Sequence, residues 1–299
     1  MNDLPDFLAS EFDPAPPERA LFHVIPAPLE ATASFGAGAA HGPAAILEAS
    51  QQLETLCQHA DGSTSAPGAM GIHTVFPVDC SLPLEAVVED IEVAVGRALS
   101  TGAVPVLLGG EHTVTMGALR ALAHRAKPVG VIQFDAHADL RETYQDTPYS
   151  HACVMRRALD LDLHIFQIGV RSLSPEEDAL RREHAIPGMD AHDLHRLEAQ
   201  GRPLPDPLLP EDFPQDIYVT FDVDGLDPSV IPATGTPEPG GLSWWQAMDL
   251  LDAVAKGRRI VGLDVVELAP PLGPPYAAFA AARLAYNMMG VAARSHGRH

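Results

Sequence analysis

Two short segments of this chain concentrate residues that can bind cations and move protons: FDAHAD at 134–139 and FDVDGLD at 221–227. Each closes an apolar run, VGVIQF at 129–134 and IYVTFDV at 217–223, of the bulky and β-branched kind that forms buried strands. In an extended chain residues i, i+2 and i+4 share a face, so Asp135, His137 and Asp139 are expected to turn toward one place, as are Asp222 and Asp224. So many carboxylates cannot all stay ionised side by side without compensation, because like charges in one site raise each other's pKa. Divalent cations are the natural compensation. Oxygen-rich donors with imidazole and no thiolate suit Mn²⁺, and tolerate Mg²⁺, Fe²⁺, Co²⁺, Ni²⁺ or Zn²⁺. Two such ions about 3.5–4 Å apart generate a nucleophile from water at neutral pH. Hydrolytic chemistry at a pair of metal ions is the implication.

One Asp-x-His or Asp-x-Asp at a strand end is more often a turn or a helix cap. Here the pattern recurs. VPVLLGG at 104–110 is followed by Glu111 and His112, and IVGLDVV at 260–266 by Glu267. An open parallel sheet binds ligands beyond the carboxyl ends of its strands. Four strands delivering acids and imidazoles to one rim exceed what turn chemistry explains.

The elements that must hold these residues are legible as alternating strands and helices, which implies an α/β fold with a parallel sheet. Further strands are expected at LFHVIP (21–26) and HIFQIGV (164–170), with a weak one near Ile72 to Val75. Leu84, Val87, Val88, Ile91, Val95 and Leu99 recur at helical spacing. Ser174 and Ser243 each precede an acid or amide by three residues, Glu177 and Gln246, which is the capping-box pattern; Pro175 fits a first helical turn. The helix from Trp244 should end at Gly257. An Ala-rich last helix is expected over 275–294, interrupted by Arg283, and the Pro-dense stretch 201–216 reads as a surface connection. Strands of one kind lie on both sides of that stretch. A single domain over 1–299 is therefore expected, behind a Pro-rich leader to about residue 19.

The formal charge of −21 excludes affinity for nucleic acid or anionic membranes and favours cationic small molecules. Cys57, Cys80 and Cys153 form neither a paired framework nor a thiolate metal pattern. The N-terminus lacks a basic region followed by an apolar one, and no long uncharged apolar stretch occurs, so a cytoplasmic protein without a membrane span is expected.

The segments GGEHTVT (109–115), FDAHADLR (134–141), SHACVMRR (150–157), FDVDGLDPSVIPATGTPEPGGLS (221–243) and GLDVVELAP (262–270) resemble the ureohydrolase family of arginases and agmatinases, and its agmatinase branch best. FGAGAAHGPAAILEAS at 35–50 matches as well, so the resemblance spans most of the chain. It implies the arginase-like three-layer α/β/α architecture and two Mn²⁺ ions. His112, Asp135, Asp139 and Asp222 would hold one ion and Asp135, His137, Asp222 and Asp224 the other, with Asp135 and Asp222 bridging. It further implies that His151 shuttles protons, that Asp139 accepts the nucleophile's proton, and that Glu267 receives a guanidinium group. Asp227 is expected to be structural. A small cationic guanidino substrate, agmatine first, and a homotrimer or homohexamer complete what the resemblance implies.

Without the resemblance, His151 reads equally as a surface or core histidine, and Glu267 could pair with a base such as Arg283. The chain also departs from the family's pattern. Glu111 stands where many members have Asp, behind the histidine, where a small effect is expected. LRETYQDTPYSHA replaces the Asn-containing segment by which arginases hold an amino-acid head group. Glu142, Asp146 and Tyr144 there suit a cationic or methylene end, whereas Arg141 suits the carboxylate of 4-guanidinobutyrate. A noncatalytic metal-binding protein of the same fold is the remaining alternative.

Overall fold

A computed structural model describes residues 4–298. Eight strands form one parallel sheet: β1 (Phe22–Ala27), β2 (Ile72–Thr74), β3 (Val104–Gly109), β4 (Val129–Phe134), β5 (His164–Ile168), β6 (Gly188–Met189), β7 (Asp216–Asp222) and β8 (Arg259–Val266). Their spatial order is β2-β1-β3-β8-β7-β4-β5-β6. Consecutive β3 and β4 are thus parted by β8 and β7. At such a reversal of strand order the loops diverge and leave a crevice at the carboxyl edge. The four strand ends that carry acids and imidazoles are the four that meet there.

Helices cover both faces, which is why the strands read as continuous apolar runs. Alternate residues of β3 enter different cores. Val106 and Leu108 pack with α1 (Gly42–Ser50), α7 (Trp244–Ala255) and α8 (Tyr276–Ser295), while Leu107 packs with α2 (Leu84–Ser100) and α3 (Thr115–Ala123). α4 (Val154–Asp160) extends the second layer beside Val131 and Ile165. The layers are those of the arginase-like sandwich.

Both capping boxes form, at Ser174 for α5 (Pro175–Glu183) and at Ser243 for α7, each with reciprocal side-chain and backbone bonds. α6 (Ala191–Ala199) follows β6, a two-residue strand too short to carry a period. The last helix runs unbroken through Arg283, whose guanidinium reaches the Glu54 carbonyl at 2.8 Å. That contact removes Arg283 as a partner for Glu267. The leader is less detached than its prolines suggest: Phe7 and Leu8 are buried, with their backbone N–H groups on Thr74 Oγ1 and Ser50 Oγ. Residues 1–3 and 299 lie outside the described range. Among the described residues no helix is long and apolar enough to cross a membrane.

Candidate metal centre and cleft

His112 opens the turn after β3, and its Nδ1 faces three carboxylate oxygens: Asp139 Oδ2 at 2.9 Å, Asp135 Oδ2 at 3.2 Å and Asp222 Oδ2 at 3.5 Å. It is buried and aligned for a hydrogen bond with none of them. A ring nitrogen aimed among carboxylates without a hydrogen-bonding direction fits a shared cation better than a shared proton. His137 Nδ1 lies 3.1 Å from Asp224 Oδ2 and 3.5 Å from Asp135 Oδ1. Two groups of donor atoms, His112 with Asp135 and Asp139, and Asp135 with His137 and Asp224, are each gathered within 4.8 Å. Asp135 belongs to both. Asp222 adjoins the first group through Oδ2, while its Oδ1 accepts the Asp224 N–H at 2.8 Å. The donor set fits a pair of hard or borderline divalent ions.

These residues converge by bending, not by strand alternation. β4 ends at Phe134, and Asp139 adopts a left-handed backbone, φ +53°, that redirects its carboxylate. Its carbonyl accepts the Met155 and Arg156 N–H groups, which holds that conformation against the start of α4. Glu267 is also left-handed, φ +65°, with its N–H on the Gly110 carbonyl. Asp224 lies in a 3-10 turn after β7. The next residue must be glycine, because a Cβ on Gly225 would stand 2.8 Å from the Asp135 nitrogen.

A second ring of buried polar groups fixes the carboxylates. Gln133 Nε2 donates to Asp135 Oδ2 at 2.8 Å, and Gln167 Nε2 donates to Gln133 Oε1 at 2.6 Å. The His137 N–H holds Asp135 Oδ1, and the Ala136 N–H holds Asp224 Oδ1. Arg171 ties down the loops beneath by donating to the carbonyls of Asp224, Gly169 and Glu238. Asp227 lies apart from this centre and accepts the N–H groups of Ser229, Gly240 and Gly241.

Burial dominates the electrostatics. It raises Asp222 well above the usual carboxylate range, with Asp224 and Asp135 adding to the effect, and it raises Asp224 as well. Burial and the charge of Asp135 push Asp139 up to about 7. Asp135 is the exception: burial works to raise it, but the neighbouring imidazoles of His112 and His137 bring it down. Burial likewise works to lower His137, yet Asp135 and Asp224 lift it to about 12. The centre is thus a sink for positive charge. A divalent ion would reverse these shifts and hold the acids ionised.

A cleft of about 280 Å³ opens over the centre, walled in part by Arg141, Tyr144, His151, Glu177 and Glu267. Glu267 Oε1 accepts the His112 N–H at 2.6 Å, and burial, then Glu111, push the carboxyl up to about 8. The Tyr144 ring meets His151 edge-on at 5.6 Å, and the Arg141 guanidinium lies 5.3 Å from the Tyr144 ring and 4.0 Å from Glu177 Oε2. Glu142 turns away to Arg156 and Arg157. Of the loop's proposed recognition residues, Tyr144 and Arg141 therefore face the cleft.

Sequence reasoning missed Thr32, Gln133, Gln167, Arg171, Thr220 and Asp264, all of which contact or support the site residues. A signal existed for two of them, since a glutamine near the end of an apolar strand run, VGVIQF or HIFQIGV, needs a buried partner.

Comparison with known proteins agrees with this geometry. The Arginase family profile matches residues 20–290. An N(1)-aminopropylagmatine ureohydrolase from Synechocystis is 36% identical over 273 residues, covering 89% of this chain and 87% of that protein. An agmatinase from Pyrococcus horikoshii is 31% identical, over 91% and 92% of the two chains. The crystal structure of agmatine ureohydrolase from Thermoplasma volcanium superposes with a TM-score of 0.82 at 29% identity, over 100% of this chain and 98% of that one. With the donor set, the sheet order and these matches in agreement, the chain belongs to the arginase family.

Proposed function

We propose that this protein is a binuclear metal-dependent ureohydrolase that releases urea from a linear guanidino amine, with agmatine as its reference substrate. The observation that carries the proposal is Asp135, buried and shared by two donor groups whose other members, His112, His137, Asp139 and Asp224, line one cleft with Glu267. Two Mn²⁺ ions, held by His112, Asp135, Asp139 and Asp222 and by Asp135, His137, Asp222 and Asp224, would supply a water-derived nucleophile at neutral pH.

The chain's own groups position and move protons around that chemistry. A guanidinium carbon is a poor electrophile because its charge is delocalised, so it must be held in place. Glu267 would hold it through paired N–H···O bonds, and the arriving cation would favour the ionised carboxylate despite its burial. Asp139 would take the proton released on attack, and the leaving amine would acquire one as urea departs. His151, whose pKa burial lowers, would accept a proton and pass it to solvent.

N(1)-aminopropylagmatine is the second reading, favoured by the activity for which the Synechocystis relative is named and by a cleft wall whose Tyr144 and Glu177 suit a longer cationic tail. Arg141 weighs less toward a guanidino acid, because Glu177 stands beside it. Mn²⁺ as the ion, a cytoplasmic setting and a homotrimer or homohexamer belong to the same proposal: the first rests on the donor chemistry and the resemblance, the second on the cysteine usage and the N-terminal composition, and the third on the resemblance alone.

Urea release with added Mn²⁺ should be measured for agmatine, N(1)-aminopropylagmatine, 4-guanidinobutyrate, arginine and guanidine. Both amines should lead. No urea from any compound sinks the enzyme reading in favour of a noncatalytic metal-binding protein, and preference for 4-guanidinobutyrate sinks the amine reading.

A further inference from the structure

Glu111 stands beside His112 but points away from the metal centre, 1% exposed. Its Oε2 accepts the N–H groups of Ala31 and Thr32, both at 2.7 Å. Its Oε1 accepts the hydroxyls of Thr32 at 2.8 Å and Thr113 at 2.7 Å. The Thr32 hydroxyl oxygen then lies 3.0 Å from His151 Nδ1 and accepts the His151 backbone N–H at 3.2 Å. A buried acid, a threonine and the histidine at the cleft wall form one chain.

Counting protons along it fixes their directions. A carboxylate oxygen only accepts, so the single Thr32 hydroxyl proton goes to Glu111 Oε1. Thr32 oxygen keeps two lone pairs: one takes the His151 backbone N–H, and the other faces Nδ1. A ring nitrogen facing a lone pair carries a hydrogen. The Ser150 hydroxyl, 3.5 Å from Nδ1, is a longer and weaker competitor.

We propose that Thr32, oriented by Glu111, is a positioning residue that holds His151 as the Nδ1–H tautomer and leaves Nε2 as its proton-accepting atom. The proposal rests on the reading of His151 as the proton carrier. Nε2 gains one proton and later releases one to solvent, while Thr32 keeps its hydroxyl proton and Glu111 stays an acceptor throughout. While the ring is cationic, its Nδ1–H remains donated to a hydroxyl backed by a carboxylate, the arrangement that stabilises imidazolium elsewhere. Glu111 thereby acquires a role in proton transfer that its place behind a metal ligand does not suggest.

The backbone bonds from Ala31 and Thr32 to Glu111 survive removal of the Thr32 hydroxyl, so Thr32→Val tests the hydroxyl alone. Glu111→Gln tests direction. Two N–H groups demand an oxygen at the Oε2 position, which turns the new amide nitrogen toward Thr32; the Thr32 proton must then point at Nδ1, and the ring must become the Nε2–H tautomer.

The readout is ¹⁵N NMR of histidine-labelled protein loaded with diamagnetic Zn²⁺, with the His151 signals assigned by their loss in His151→Asn. The wild type and Thr32→Ser should show Nδ1–H, Thr32→Val a mixture, and Glu111→Gln a reversal. With Mn²⁺, Thr32→Val should lose about 10- to 100-fold in kcat with KM within about twofold, Thr32→Ser should recover it, and imidazole buffer should partly rescue the loss. An Nε2–H wild type, or a tautomer indifferent to both Thr32→Val and Glu111→Gln, overturns the proposal. Full kcat in His151→Asn overturns the proton-carrier reading beneath it, an outcome that the tautomer measurement does not share.

Discussion

The Thr220 hydroxyl oxygen lies 2.8 Å from His112 Nε2 and gives its proton to Asp264 Oδ1 at 2.7 Å. Asp264 is fully buried in β8 and also accepts from Tyr218, Thr115 and the Phe221 N–H. The hydroxyl proton is committed to the acid, so Thr220 offers His112 a lone pair and selects the Nε2–H tautomer. That leaves the Nδ1 lone pair among the carboxylates, where a metal ligand needs it. The device at His151 is the same with the nitrogens exchanged. In the proposed reading the free nitrogen of His112 would meet a cation and that of His151 a proton.

Thr220→Val should therefore weaken binding of one of two Mn²⁺ ions by about 10–100-fold, the usual cost of removing a group that orients a ligand. Thr220→Ser should not. Calorimetric titration resolves the two ions, and equal affinity in Val and wild-type proteins would remove the orienting role.

Because Asp135 serves both donor groups, Asp135→Ala should lose both ions together, along with urea release. Removal of metal should also cost stability: an ion at 100 times its dissociation constant contributes about 2.7 kcal/mol to a folded state that alone binds it. Wild-type protein should melt at higher temperature with Mn²⁺ than with chelator. Asp135→Ala should melt alike in both, and a preserved Mn²⁺-dependent shift in that variant would refute the shared position.

Glu267→Gln keeps an acceptor for the His112 N–H but loses the charge that would meet a guanidinium in the proposed reading. Truncating one side of a buried charged pair costs about 2–5 kcal/mol, so kcat/KM should fall roughly 30-fold or more. Mn²⁺ affinity should stay within a few-fold. If metal binding falls in proportion to activity, Glu267 acts on the ions and not on the substrate.

What the sequence discloses and what it hides follow from distance along the chain. His112, Asp135, His137, Asp139, Asp222, Asp224 and Glu267 all stand within a few residues of strong strand runs, and a parallel sheet brings strand ends together by construction. The way Asp139 reaches the centre was not legible, because a left-handed turn is set by contacts with α4, not by local alternation. Thr32 and Asp264 were hidden for a related reason. One is a threonine in an irregular segment 79 residues from Glu111, and the other is an acid inside a run read as a strand leading to Glu267. Nothing in the spacing of either points to a histidine on another element.

At the opposite edge of the sheet, Asp216 opens β7 in register with Arg259 of β8 and receives its guanidinium at 2.9 and 2.7 Å, with Arg125 adding a bond at 3.1 Å. Burial works to raise the Asp216 pKa, but the two arginines outweigh it and the net shift is downward. An unfolded Asp titrates near about 3.9. With the folded value below that, the stabilisation is complete above the unfolded pKa and is lost as pH falls through the folded one. Both arginine side chains are partly exposed, 42% and 25%, so solvent screening holds the contribution to about 1–2 kcal/mol. Asp216→Asn should be less stable than wild type by that amount in urea unfolding of metal-free protein at pH 7 and pH 5 alike. Below about pH 4 the gap should narrow as the wild-type carboxylate protonates. A gap that widens with acid would mean that the arginines do not hold Asp216 ionised.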